Sequence, residues 1–121
     1  MGRPLLLLDV DGVLNPFAAA EPPAGYVDHT LFPGEEPVRV NPAHGRWITE
    51  LGGAMDLAWA TGWNDEANDV LAPLLGIGPF PVVTMPPAPF APDDKIGRID
   101  TYAAGLARDD VDHVLAWVAE R

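Results

Sequence analysis

Two carboxylates, Asp9 and Asp11, stand two residues apart in Leu5-Leu6-Leu7-Leu8-Asp9-Val10-Asp11-Gly12, where an uninterrupted apolar run ends. On an extended backbone both side chains point to one face, and a divalent cation would relieve their repulsion. A carboxylate beside a metal-bridged phosphate can act as a nucleophile. The second can give a proton to the leaving oxygen and later take one from water. Gly12 lets the chain turn sharply away, leaving such a site open. The plainer alternative is an acidic turn after a strand, because Asp and Gly are common turn residues. The four leucines before the pair and Asn15 after it favour the chemical reading.

A second candidate is Trp59-Ala60-Thr61-Gly62-Trp63-Asn64. Thr61 offers a hydroxyl at a strand end, and Gly62 lets backbone N–H groups approach a ligand. The helix expected to follow aims its positive N-terminus at the same place, which outlines a phosphate cradle. Taken alone, the segment reads better as a Thr-Gly turn with an Asn cap. The third candidate is Lys95, the one lysine in a chain whose other six bases are arginine. Such usage suggests a site that wants a compact charge on a flexible stem. The competing reading has Lys95 solvating a helix start beside Asp93 and Asp94.

The elements that must position these groups follow from the same sequence. Leu5–Leu8 reads as a short strand buried on both faces. Residues 16–40 hold five prolines and two glycines and read as an irregular excursion, with a hairpin pairing Tyr26–Leu31 and Pro37–Val40. Asn41-Pro42 starts a helix that Gly52-Gly53 ends. Met55–Ala60 is a second strand, and Asn64 caps a helix to about Leu75 with Gly76 beyond it. Pro81–Thr84 is a brief third strand, followed by a proline-rich loop to Pro92. Helices over Lys95–Ala104 and Asp109–Glu120 close the chain, the latter capped by Asp109 and presenting Val111, Val114, Leu115 and Val118 on one face. Alternating strands and helices predict an α/β fold with a parallel sheet, whose ligands gather beyond the carboxyl ends of the strands.

The chain's 121 residues predict one domain, 1–121, around a single core. The absence of cysteine excludes disulfides, thiolate metal sites and thiol nucleophiles. Eighteen acids against seven bases give a net charge of −11, which disfavours long polyanions and anionic membranes and suits a hard cation. The short leucine run is too brief for a signal sequence, so a cytoplasmic protein is expected.

Taken in order, the three candidates resemble the haloacid dehalogenase (HAD) superfamily of phosphohydrolases. Leu5–Gly12 is similar to its first motif, Trp59–Thr61 to its second, and Lys95 falls where its third motif has a base. The wider stretches Leu-Asp-Val-Asp-Gly-Val-Leu-Asn-Pro and Trp-Ala-Thr-Gly-Trp-Asn-Asp-Glu-Ala-Asn resemble small bacterial HAD proteins related to the HAD domains of RNA-repair proteins. The resemblance covers about residues 4–105. It implies a Rossmann-like three-layer sandwich, and a Mg²⁺-dependent phosphohydrolase acting on a small phosphomonoester. Asp9 would be the nucleophile, forming an aspartyl-phosphate, and Asp11 the general acid/base with its main-chain carbonyl on Mg²⁺. Thr61, Gly62 and Lys95 would hold the phosphoryl group, Asp9 and Asp11 the metal, and residues 16–40 would form a small cap.

The fourth motif of that family, an apolar strand ending in acids that complete the metal site, has no evident counterpart after Lys95. Asp109-Asp110 is the remaining acidic pair, and it reads as a helix cap rather than a metal ligand. Missing flanking strands would put Leu5–Leu8 at a sheet edge, to be covered by a second copy in a homodimer or left as a source of instability. An alternative therefore stands beside the enzyme, a catalytically weakened HAD relative that binds phosphate or a protein partner without turnover. A response-regulator receiver domain fits less well, because Asp56 starts the strand that Thr61 ends. Trp59 reads as core and Trp63 as able to stack on a base, so a nucleotide or nucleic-acid end stays open as substrate. His29, His44 and His113 read as surface residues.

Overall fold

A computed structural model describes residues 4–87, 90–105 and 114–117. Its order is β1 (Leu5–Leu8), β2 (Val27–His29), β3 (Val38–Val40), α1 (Ala43–Gly52) and β4 (Asp56–Trp59). A π-helical turn (Ala67–Leu71) then runs into α2 (Ala72–Leu75), followed by α3 (Pro92–Gly105) and β5 (Val114–Trp117). The fold is mixed α/β. Three parallel strands form one sheet in the order β4-β1-β5, and β2 pairs antiparallel with β3 in the expected hairpin.

All four leucines of β1 are buried because both sheet faces are covered. Alternation sends Leu6 and Leu8, with Leu57 and Trp59 of β4, into one core that also holds Val40, Ile48 of α1 and Leu71 and Leu75 around α2. Leu5 and Leu7, with Ala58 and Ala60, enter a second core that Phe90 and Ile99 and Tyr102 of α3 close. Helices thus lie on opposite faces of the sheet.

Two expectations fail at the C-terminal end. Val114–Trp117 is a strand, not part of a helix over 109–120, and its register sets Leu5 against Val114 and Leu8 against Trp117. Val114-Leu115-Ala116-Trp117 is a continuous apolar run, and a run this short satisfies a buried strand as well as a helical face. β1 is consequently the central strand rather than an edge, which removes the reason for a covering second copy. Asp109, Asp110 and Glu120 lie outside the described residues. Pro81–Thr84 shrinks to a bridge, with Trp59 N–H donating to Pro81 O and Val83 N–H to Trp59 O, each at 2.8 Å.

Two asparagine amides hold the segment after α2, one of them also bonding β4. Asn68 accepts from the Trp59 indole N–H (2.8 Å) and the Phe80 N–H (2.9 Å), and donates to Phe80 O (2.7 Å). Asn64 does not cap a helix with its side chain. It sits at φ +50° and clamps Met85, accepting from its N–H at 2.7 Å and donating to its carbonyl at 3.3 Å. Because Trp59 is fully buried, Asn68→Ala strands its indole N–H without a partner. The expected loss is about 3 kcal/mol of unfolding free energy, read from urea denaturation.

Candidate active site

The carboxyl ends of β1 and β4 carry the candidate groups. Ala60 N–H donates to Leu8 O at 2.7 Å, so pairing persists one residue past β4 and brings Thr61 alongside the chain at Asp9 and Val10. After β1 the backbone folds into a tight loop in which Val10 O accepts from the N–H groups of Val13 and Asn15, while Gly12 N–H donates to Asn15 O. Gly12 takes φ +80°, a conformation that glycine adopts without strain.

Asp9 is gripped from two sides. Its Oδ1 accepts the Val10 N–H at 2.7 Å, and its Oδ2 meets Lys95 Nζ at 2.6 Å. Lys95 comes from the first turns of α3, so a contact spanning most of the chain closes the site. The ion pair is about one-third exposed on each side. Asp11 is also held, its Oδ1 by the Asn15 amide at 3.1 Å and its Oδ2 by the Trp63 indole N–H at 3.1 Å. The repulsion expected between the two carboxylates is thus met by Lys95 and by neutral donors. Asn15 is itself buried and accepts from Arg39 N–H of β3 at 3.0 Å, which couples the hairpin to Asp11.

Thr61 is buried, and its Oγ1 accepts from Trp63 N–H at 3.2 Å, leaving the hydroxyl hydrogen free to donate. Gly62 is exposed, with Phe90 beside it. Asp9, Asp11, Thr61, Gly62 and Lys95 therefore lie around one end of the sheet. Among the described residues no group of three or more His, Asp or Glu gathers as a metal cluster. Family models, curated proteins and solved structures were compared with the chain, and none matches.

Sequence reasoning missed the polar tie from Trp63 to Asp11. An indole four residues past the end of β4 carries no signal of its bonding partner. It also misplaced His44, which is buried in α1, edge-on to Tyr26 at 5.6 Å and tilted against Trp47 at 5.3 Å. Burial lowers the His44 pKa below its usual 6.5. Below pH 6.5 the unfolded chain takes up a proton that the folded chain resists, so His44's contribution to stability is full above that pH and shrinks as pH falls further. Urea midpoints measured from pH 7.5 down to 5 should fall, and they should fall less steeply in His44→Gln. His29 is half-buried in β2, and His113 lies outside the described residues.

No described helix is long and apolar enough to cross a membrane.

Proposed function

We propose that the protein is a Mg²⁺-dependent phosphohydrolase of small phosphomonoesters, with a HAD-like, Rossmann-like sandwich as its scaffold. The observation that carries the reading is the Asp9–Lys95 contact, a nucleophile candidate and the chain's one lysine meeting at 2.6 Å from 86 positions apart. At the same end of the sheet lie the buried Thr61 and Asp11, residue types that suit phosphoryl transfer through a carboxylate.

The chemistry proceeds in two balanced steps. Asp9 attacks phosphorus, the ester P–O bond breaks, and the leaving oxygen takes the proton of Asp11. Water then attacks the aspartyl-phosphate as Asp11 takes a proton from it, releasing phosphate and restoring Asp9. Lys95 and the Thr61 hydroxyl neutralise and orient the phosphoryl oxygens, with Gly62 leaving space for them. Mg²⁺ fits the donors present, because it takes one or two carboxylates and keeps several waters, and both Asp9 and Asp11 reach solvent. Bound there, it would neutralise the phosphate charge that otherwise repels the nucleophile.

A second reading, phosphate or partner binding without turnover, draws on one feature: each carboxylate is already engaged by side chains of the chain itself. Hydrolysis of p-nitrophenyl phosphate separates the two. Turnover that needs added Mg²⁺ and stops with EDTA is the expected result. A folded protein that binds phosphate and never turns over would establish the second reading instead.

A further inference from the structure

A cavity of about 470 Å³ opens directly beside Asp11, and neither Asp9 nor Lys95 is among the residues that line it. That volume lies within the range of small-molecule sites. Its apolar wall is aromatic, formed by Phe17 after the Gly12 turn, Phe32 from the hairpin loop and Trp63 from the turn after β4. Phe32 and Trp63 meet at 5.3 Å with planes 72° apart, a corner of two rings. Trp63 is fixed in that corner by its bond to Asp11. The charged groups lining the cavity are all acids: Asp11, Glu35 and Glu36. Arg39, next along β3, is turned to other partners, donating to the carbonyls of Pro16 (3.0 Å) and Ala19 (2.6 Å) and lying 3.6 Å from Asp28.

Aromatic faces and carboxylates in one cavity attract a cation, and repel further phosphate or carboxylate groups. The site is therefore polarised, with Lys95 at the phosphoryl end and acids with rings at the other. We infer that the cavity receives a positively charged leaving group, so that the substrates are phosphomonoesters of amino or quaternary-ammonium alcohols. This rests on the phosphohydrolase reading above and narrows it. Within that mechanism Asp11 delivers its proton at the cavity's mouth, where the departing alcohol oxygen would lie.

The test compares phosphocholine with glycerol phosphate and adenosine monophosphate, using p-nitrophenyl phosphate to report basal turnover. A preference of about tenfold or more in kcat/KM for phosphocholine over both is expected, from cation–ring attraction aided by two carboxylates. The double variant Glu35→Gln with Glu36→Gln should lose most of that preference, and Trp63→Leu should raise KM for phosphocholine more than for glycerol phosphate. Turnover of p-nitrophenyl phosphate with no preference for phosphocholine overturns the inference and leaves the phosphohydrolase reading standing. If no ester is turned over, that reading fails, and calorimetric titration decides the cavity alone. Phosphocholine binding at least tenfold tighter than inorganic phosphate supports the cation site, and equal or weaker binding overturns it.

Discussion

Asp9→Asn is expected to lose p-nitrophenyl phosphate turnover by at least about a thousandfold while keeping its fold. The amide preserves shape and keeps an oxygen to accept the Val10 N–H, which Asp9 now does at 2.7 Å. It cannot attack phosphorus as an anion. Losing a pair with Lys95 that is one-third exposed should cost little stability, because solvent already screens it. The melting temperature and circular dichroism of the variant should therefore match those of the parent as activity disappears. Retained turnover in Asp9→Asn would place the nucleophile elsewhere.

The second large effect is structural. Gly45 sits inside α1 where that helix crosses the end of α2, and a β-carbon there would overlap the carbonyl oxygen of Leu75. Backbone cannot swing aside as a side-chain tip can, so α1 and α2 must separate. Ile48, one turn on, and Leu71 and Leu75 share the core that this separation opens. Gly45→Ala should cost about 3 kcal/mol or more and lower the melting temperature by roughly 10 °C. Gly97 in α3 is the matched control, because a β-carbon there meets nothing within 4 Å. Gly97→Ala should be neutral or stabilising by about 0.5–1 kcal/mol, since alanine loses less backbone freedom in a helix. Thermal unfolding of the two variants side by side separates local crowding from helix propensity.

Elements announced by strong local chemistry were legible in the sequence. Leu5–Leu8 followed by an Asp-x-Asp-Gly turn is a buried strand with few alternatives, and the structure has β1 there. The helix after Asn41 forms over Ala43–Gly52, with the Asn41 side chain accepting the Ala43 N–H at 3.0 Å. Gly76 closes α2 at φ +69°, the left-handed conformation expected of a glycine past a helix end. What escaped depended on partners distant in the chain. The apolar residues of β5 become a strand because β1 offers a second edge to pair with, and nothing local to Val114–Trp117 states that. Misplacing that one element also displaced β1 from the centre of the sheet to its edge.

The site divides in the same way. Asp9, Asp11, Thr61 and Lys95 carried signals in their types and spacing, and the structure gathers them at one end of the sheet. Asn64 reads as a helix cap and Asn68 carries no signal of its own, yet their amides hold Met85, Phe80 and the buried indole of Trp59. An amide's partners are chosen by tertiary proximity, which sequence spacing does not encode. The same holds for His44, whose ring meets that of Tyr26, a residue eighteen positions away in the chain.

The central claim is that Asp9 carries the phosphoryl group between substrate and water. The most direct measurement is to quench the protein during p-nitrophenyl phosphate turnover in Mg²⁺, reduce it with borohydride, and map modified residues by mass spectrometry. The account predicts modification at Asp9 alone, dependent on Mg²⁺ and absent from Asp9→Asn. Sustained turnover with Asp9 unmodified, or modification at Asp11 in its place, would contradict it.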